Sequence, residues 1–209
     1  MNPIYQRARF LLSGVRLEQL PSLTHEVAFA GRSNAGKSSA INAITQQRAL
    51  ARTSKTPGRT QQINVFTLGD GRALVDLPGY GYAKVSAGLR AEWGQLLPRY
   101  FSERLSLKGV VVIMDVRHPL TPHDRAMLEL TAANRLPTLV LLSKADKLKR
   151  GPALNALQQV QRELAKAYPH AQAQLFSALT RQGVDAVHAQ LDRWLYPESN
   201  SMAESGSRT

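Results

Sequence analysis

The fold is decided by Gly31-Arg32-Ser33-Asn34-Ala35-Gly36-Lys37-Ser38-Ser39, which has the spacing G-x-x-x-x-G-K-S of a phosphate-binding loop. The apolar residues 27–30 before it predict a buried strand, and residues 39–44 after it predict the first turns of a helix. In this context the glycines let backbone N–H groups converge on phosphates, and the helix dipole adds positive potential. We expect Lys37 to reach the β- and γ-phosphates and Ser38 to ligate Mg²⁺. The sequence therefore predicts a nucleotide-binding site.

A second segment on the phosphate side, Asp76-Leu77-Pro78-Gly79, follows the apolar residues 73–75. A carboxylate at the end of a strand, followed by a turn, would place Asp76 near Mg²⁺ through water and the Gly79 N–H near a γ-phosphate. ATPases and GTPases share these parts, so they leave the base undecided.

Two later segments indicate the base. Residues 138–142 form an apolar run that ends in Ser143-Lys144-Ala145-Asp146. The Asp146 carboxylate can accept hydrogen bonds from the N1–H and 2-amino groups of guanine, a pair that adenine does not offer, and Lys144 can lay its aliphatic stem over the base or ribose. Residues 173–176, which end at Phe176, lead into Ser177-Ala178, where a backbone N–H could meet the guanine oxygen. These segments occur in order, each at the end of a predicted strand, and they predict guanine.

Strand and helix patterns alternate along the chain, as a doubly wound α/β fold requires. Gly69-Asp70-Gly71 is typical of a hairpin turn, so we expect the strands on either side of it, 63–66 and 72–75, to be antiparallel. The predicted fold is a P-loop NTPase of the Ras-like G-domain type, with a mostly parallel six-stranded sheet, one antiparallel strand, and helices on both faces. The predicted strands are 27–30, 63–66, 72–75, 110–113, 138–142 and 173–176, and the later helices are 89–105, 124–134, 153–168 and 183–195.

Composition excludes several other classes of protein. The chain has no cysteine, which rules out disulfides and thiolate metal sites. No apolar stretch approaches the roughly 20 residues of a membrane span, and the apolar residues 10–12 are too few for a signal peptide. We expect a cytoplasmic protein with a basic N-terminal extension packed on the G domain over residues 1–22, one G domain over 23–197, and a disordered tail over 198–209.

On these residues the chain resembles the EngB (YihA/YsxC) family of bacterial ribosome-assembly GTPases, which are P-loop GTPases of the translation-factor class. The resemblance covers roughly residues 10–197 and implies that the chain binds GTP with Mg²⁺ and hydrolyses it to GDP and phosphate. Ser143 stands where the family usually has threonine, and we expect its hydroxyl to keep a hydrogen bond that braces the loop. Besides the phosphate-binding loop, the segments that carry the resemblance are Ser54-Lys55-Thr56-Pro57-Gly58-Arg59-Thr60-Gln61, Asp76-Leu77-Pro78-Gly79-Tyr80-Gly81-Tyr82-Ala83 and Asp115-Val116-Arg117-His118-Pro119-Leu120.

The resemblance implies two switch segments, around residues 48–60 and roughly 76–88. Thr60 would be the metal-sensing hydroxyl of the first, although from the sequence alone Thr56 competes for that role. The metal ligands would be Ser38, Thr60 and, through water, Asp76, and the catalytic groups would include Lys37, Thr60 and Gly79. The implied nucleotide-binding residues are Gly31, Arg32, Ser33, Asn34, Ala35, Gly36, Lys37, Ser38, Ser39, Gly58, Arg59, Thr60, Gln61, Gln62, Asp76, Leu77, Pro78, Gly79, Ser143, Lys144, Ala145, Asp146, Phe176, Ser177 and Ala178.

The residue after Gly79 is Tyr80, where many GTPases place a glutamine that orients the attacking water. We expect the Tyr80 side chain to point away and pack on the protein, so that hydrolysis is slow unless another group enters. Asn34 resembles the loop asparagine of GTPases that recruit K⁺, whose charge would stabilise the transition state. The alternative, that Asn34 only braces the loop, stays open.

Charge points to a polyanionic partner. The chain carries 27 Lys and Arg against 15 Asp and Glu, a net charge of +12, and residues 1–60 hold nine basic and two acidic residues. Four of these basic residues, Arg48, Arg52, Lys55 and Arg59, fall in the implied first switch. A basic segment whose order depends on the γ-phosphate could couple nucleotide state to RNA affinity. Together with the resemblance, this implies rRNA of the large ribosomal subunit, bound through the first switch and the N-terminal region. Non-specific stickiness is the alternative.

Three functional classes are open at this point. The first is a monomeric assembly switch that docks on a precursor large subunit, does not bind DNA and is needed for normal cell division and septation. The second is a GTPase domain that serves tRNA modification, against which the short remainder of the chain after Ser177-Ala178 argues. The third is a GTPase that regulates division or septation directly, without acting through the ribosome.

Overall fold

A computed structural model of the protein describes residues 2–51, 62–80 and 87–197, with only the backbone for residues 87–94. The tail predicted over residues 198–209 and most of the implied first switch lie outside the described residues, as does the part of the second switch from 81 to 86. The described residues form one mixed sheet flanked by helices.

The sheet contains seven strands in the order β1-β3-β4-β2-β5-β6-β7. β3 runs opposite to the other strands of this sheet and pairs antiparallel with both β1 and β4, whereas the neighbours in β4-β2-β5-β6-β7 are parallel. The hairpin predicted at Gly69-Asp70-Gly71 joins β3 to β4, and all three residues have the positive φ that such a turn requires. The strands are β1 (Arg9–Gly14), β2 (His25–Gly31), β3 (Ile63–Gly69), β4 (Arg72–Asp76), β5 (Leu107–Asp115), β6 (Thr138–Ser143) and β7 (Ala171–Leu175).

The sheet has one strand more than the six predicted, because β1 from the N-terminal region joins its edge. β1 pairs with β3 from Arg9↔Thr67 to Gly14↔Ile63, with a bulge between Phe10 and Leu12. Most of its side chains are exposed, so its sequence lacks the alternation of a half-buried strand. The six predicted strands are all present, and the α/β class is as predicted.

Helices cover both faces of the sheet, as a doubly wound fold requires. Ala28 and Ala30 of β2 face a core shared with α2, α3 and α4, and Val27 and Phe29 face a second core shared with α1 and α5. This period of two is that of a strand buried on both faces. The helices are α1 (Lys37–Thr45), α2 (Ala87–Glu103), α3 (Pro122–Ala133), α4 (Arg150–Ala167) and α5 (Val184–Leu195). Within the described ranges, none of these helices is long and apolar enough to cross a lipid bilayer.

The start of the chain packs against α5 and the end of α1. Tyr5 is fully buried and donates a hydrogen bond to Asp192 (2.7 Å), which also accepts one from the Asn2 side chain (2.9 Å). His188 Nε2 lies 2.8 Å from the carbonyl oxygen of Ile44. Together with β1, these contacts tie residues 2–14 to the remainder of the fold.

Candidate nucleotide-binding site

A cavity of about 920 Å³ opens where the carboxyl ends of the parallel strands meet, beside the loops that follow β2, β6 and β7. This edge is where ligands of open α/β sheets bind, because loops from several strands converge there. The cavity is lined by Gly36, Ser39, Asn42, Ala43, Gln46, Gln47, Arg48, Ser143, Lys144, Asp146, Lys147, Phe176, Ala178, Leu179 and Arg181.

The phosphate-binding loop runs from the end of β2 into α1, as its spacing predicted. A Cβ on Gly31 would lie 2.9 Å from the carbonyl oxygen of Ile113, a contact that an added side chain could not avoid. Gly36 caps α1 with φ of +99°, a conformation that favours glycine. These two glycines let the loop pass close to β5 and turn directly into the N-terminus of α1.

Lys37 and Asp76 form an ion pair between the start of α1 and the end of β4. The side chains are only 10% and 4% exposed, respectively, so little water screens the pair. Ser38 follows Lys37 in the first turn of α1, so its backbone lies beside this ion pair.

Residues 77–80 run alongside the phosphate-binding loop. The Ser33 N–H donates to the Tyr80 carbonyl (3.0 Å), and the Tyr80 N–H donates to the Gly31 carbonyl (3.4 Å). A Cβ on Gly79 would lie 3.7 Å from the Ser33 backbone. The segment Asp76-Leu77-Pro78-Gly79 therefore lies next to the loop.

The Tyr80 side chain packs on the protein, as expected. Its hydroxyl donates to Asp124 Oδ1 (3.1 Å), and Asp124 Oδ2 accepts from the backbone and hydroxyl of Thr121 at the start of α3. Burial, and then the charge of Asp124, raise the pKa of Tyr80 well above its usual value, so the phenol stays protonated. Tyr80 thus tethers the beginning of the implied second switch to α3.

The last residue of β6 and the residue that follows it brace the phosphate-binding loop. Ser143 Oγ lies 2.5 Å from the Ala35 carbonyl oxygen and 3.0 Å from that of Met114, which is the hydroxyl contact expected for the serine in place of threonine. Lys144, with φ of +58°, donates from Nζ to the Asn34 carbonyl (2.7 Å) and to Asp115 Oδ2 (2.9 Å). These bonds hold the loop after β6 against the loop after β2.

The side chains of Asp146 and Ser177, which follow β6 and β7 respectively, are in hydrogen-bond contact. Ser177 Oγ donates to Asp146 Oδ1 (2.6 Å), and this hydrogen bond is the main reason that the pKa of Asp146 lies below its ordinary value. The Ala145 N–H donates to the Phe176 carbonyl (3.1 Å), which joins the loops after β6 and β7. The Asp146 side chain is 13% exposed and remains an ionised acceptor that faces the cavity.

The structure brings together the site residues predicted in four segments, from Gly31 to Ser39, Asp76 to Gly79, Ser143 to Asp146 and Phe176 to Ala178. Gln62 is described as an exposed residue just before β3. The predictions for Gly58, Arg59, Thr60 and Gln61, and the alternative Thr56, fall outside the described residues.

Sequence reasoning missed most of one wall of the cavity, which is formed by the outer face and the end of α1. Ser39 was predicted, but Asn42, Ala43 and Gln46, which follow it at intervals of three and four residues on the same face of the helix, were not. This spacing, directly after the phosphate-binding loop, was a signal that could have identified the wall. Lys147, Leu179 and Arg181 on the opposite side were also missed.

Comparison with known proteins agrees with this geometry. The family model described as "50S ribosome-binding GTPase" matches residues 26–144. A probable GTP-binding protein EngB of Hydrogenovibrio crunogenus is 53% identical over 195 residues, which cover 93% of this chain and 92% of the relative. The chain belongs to the EngB family of GTP-binding proteins. An EngB relative from Nitrosococcus oceani is 53% identical over 196 residues, which cover 93% of this chain and 98% of that protein.

Solved structures show the same fold. The crystal structure of a probable EngB protein aligns with a TM-score of 0.64 at 19% identity, over 81% of this chain and 98% of that one. Era, in a complex with MgGDPNP and a segment of 16S rRNA, aligns with a TM-score of 0.63 at 22% identity, over 82% and 56% of the two chains. The chain is therefore an EngB-family protein with the P-loop GTPase fold.

Proposed function

We propose that this cavity binds GTP and Mg²⁺ and that the protein hydrolyses GTP to GDP and phosphate while acting as an assembly factor for the large ribosomal subunit. The observation that carries the nucleotide assignment is the convergence of the Lys37–Asp76 pair, Lys144 and the ionised Asp146 on one edge of the sheet. Lys37 would exchange its carboxylate partner for the β- and γ-phosphates, and Asp146 would accept the two guanine N–H groups.

The residues at the loop suit Mg²⁺. This ion prefers a few oxygen ligands in an octahedron and keeps waters and phosphate oxygens as the rest, so one hydroxyl and one carboxylate suffice. Ser38 would ligate it directly and Asp76 through water, and Thr60 of the first switch would complete the set. Among the residues that the structure describes, no group of three or more His, Cys, Asp or Glu side chains could hold a metal ion alone. When bound, Mg²⁺ would neutralise charge on the phosphates.

Turnover is proposed to be slow without a further group. The Tyr80 hydroxyl is engaged by Asp124, so its side chain does not replace the water-orienting glutamine of other GTPases. The Gly79 N–H would contact the γ-phosphate beside Lys37. Asn34 is exposed at the loop and could ligate K⁺, whose charge would stabilise the developing negative charge.

The ribosomal role is supported by charge and by the family. The matching family is described as ribosome-binding, and the chain carries a net charge of +12. Arg7, Arg9 and Arg16 lie in or beside the N-terminal elements that pack on the fold. A cytoplasmic GTPase with a basic surface would contact rRNA phosphates through this region and the first switch. The role in cell division and septation would then follow from ribosome supply, and direct regulation of division is the alternative.

Co-sedimentation with purified large ribosomal subunits at near-physiological salt tests the proposal. We expect retention that is stronger with a non-hydrolysable GTP analogue than with GDP, and weak retention on small subunits. The variant D146N should lose the response to the GTP analogue, whereas D70N makes the same change of charge in the β3–β4 turn and should behave as wild type. Equal retention on both subunits in both nucleotide states would mean that the charge is only sticky, and the direct division role would then be the one to test.

A further inference from the structure

Asp115 lies at the carboxyl end of β5, beside the cavity, and has no part in the proposed function above. Its side chain is 7% exposed, yet its carboxylate accepts hydrogen bonds from Lys144 Nζ (2.9 Å), from Arg117 Nε and Nη2 (2.9 and 2.6 Å) and from the Arg117 backbone (3.0 Å). Burial opposes ionisation, but these hydrogen bonds outweigh it and hold the pKa of Asp115 well below its usual range. The carboxylate is thus a fixed negative charge with two cationic partners.

The hydrogen bond between Lys144 and Asn34 connects the Asp115 carboxylate to the phosphate-binding loop. The Lys144 ammonium spans Asp115 on one side and the Asn34 carbonyl of the phosphate-binding loop on the other (2.7 Å). Its stem lies over the loop, since a Cβ on Gly36 would be 3.8 Å from Lys144 Cε. A free lysine side chain has several rotatable bonds, and ordering it on ligand binding costs conformational entropy. Because these two contacts already order the Lys144 side chain, ligand binding loses less entropy.

The backbones that carry Asp115 and Lys144 are themselves locked together. Asp115 is paired in register with Ser143 in the parallel strands β5 and β6. The Val116 N–H donates to the Ser143 carbonyl (3.0 Å), and Ser143 Oγ lies 3.0 Å from the Met114 carbonyl. The strand register therefore places Asp115 and Lys144 next to each other at the ends of β5 and β6.

We propose that Asp115 is a positioning residue for the guanine nucleotide, which holds Lys144 against the phosphate-binding loop so that the lysine stem forms one wall of the base pocket. Arg117 holds Asp115 in turn, through a two-pronged contact that fixes the plane of the carboxylate. The inference rests on the proposed assignment of this cavity to a guanine nucleotide.

The test is GDP affinity and dissociation rate, measured with a fluorescent GDP. D115N keeps the volume of the side chain but removes its charge, and we expect GDP to bind about tenfold more weakly, mainly through faster release. The matched control is D70N, which makes the same substitution in the exposed β3–β4 turn, where asparagine tolerates the positive φ of 51°. D70N should bind GDP as tightly as the wild type.

A double-mutant cycle separates positioning from a general loss of structure. If Asp115 acts through Lys144, D115N should cause no further loss of GDP affinity in a K144A background, whereas a general structural defect would add to it. Should D115N fail to fold, R117Q replaces it in the same cycle, with an expected loss of about threefold alone and none beyond K144A. Full additivity in either cycle would overturn the proposal.

The same measurements keep the two claims apart. Wild-type protein that does not bind GDP would overturn the proposed function, and the positioning role with it. Wild-type protein that binds GDP tightly, with D115N and R117Q unchanged, would overturn the positioning role alone.

Discussion

At the residue scale, Lys37 and Asp76 neutralise each other in a part of the site that excludes most water. A buried ion pair adds little net stability, but removal of one partner leaves the other charge uncompensated. In the proposed site, Lys37 would exchange this carboxylate for phosphate, and Asp76 would contact the metal through water. Nucleotide binding would then rearrange a pair on which the free protein depends.

The variant K37A should therefore destabilise the free protein as well as abolish GTP binding. With Asp76 only 4% exposed and left without its cation, we expect a loss of about 2 kcal/mol in the free energy of unfolding. Adding D76N should restore part of it. The measurement is urea denaturation without nucleotide. The control is E163Q, which breaks the exposed Arg125–Glu163 pair and should cost less than about 0.5 kcal/mol. K37A as stable as wild type would contradict the account.

Asn34 is the second residue whose role can be tested alone. If its side chain recruits K⁺, GTP turnover in a K⁺ salt should be well above GTP turnover in a Na⁺ salt at equal ionic strength, because K⁺ adds positive charge beside the phosphates. The variant N34G keeps the backbone conformation, with φ of +63°, and should abolish the difference between the salts. Steady-state phosphate release gives the rates. Equal wild-type rates in both salts would contradict a role for K⁺. If N34G is slower than the wild type by the same factor in both salts, Asn34 only braces the loop.

At the scale of elements, the sheet edge and the start of α1 set the shape of the site. Gly31 ends β2 against β5, and this close approach lets the loop curve over the strand ends. A larger residue there must displace the β5 backbone rather than a flexible side chain.

The variant G31A should consequently lower both stability and GDP affinity. A Cβ at 2.9 Å from the Ile113 carbonyl predicts a loss of about 1–3 kcal/mol in unfolding free energy. G151A in α4 is the matched control, because a Cβ there meets nothing within 4 Å and alanine favours helix. The melting temperature of G31A should fall below that of the wild type, whereas that of G151A should rise or stay unchanged. A G31A protein with the wild-type melting temperature would show that the loop backbone can shift to accommodate the added Cβ.

Elements differ in how far the sequence could predict them. The strand before Gly31, the hairpin at Asp70 and the order of the site segments followed from local patterns, because glycine spacing and apolar runs are local signals. The edge strand β1 did not, since Phe10 is 57% exposed and carries no alternation with buried neighbours. The Asp115–Lys144 contact was equally out of reach, because it depends on the register of two strands rather than on spacing along the chain.

At the scale of the whole molecule, the site is assembled from residues far apart in the chain. Lys144 and Asn34 are separated by 110 positions, and Asp146 and Ser177 by 31, yet both pairs are in hydrogen-bond contact. Parallel strands bring such loops to one edge, so the loop proposed to hold the phosphates and the loops proposed to hold the base are supported by the same sheet. Base recognition therefore tests the assembly as a whole.

The most direct measurement compares the affinities of GDP and xanthosine diphosphate for wild type and D146N. An aspartate accepts from the 2-amino group of guanine, whereas an asparagine amide can donate to the 2-carbonyl of xanthine. We expect wild type to prefer GDP by about a hundredfold or more and D146N to prefer the xanthine nucleotide. D70N should retain the wild-type preference. A D146N protein that binds GDP as tightly as wild type and ignores xanthosine diphosphate would contradict the account.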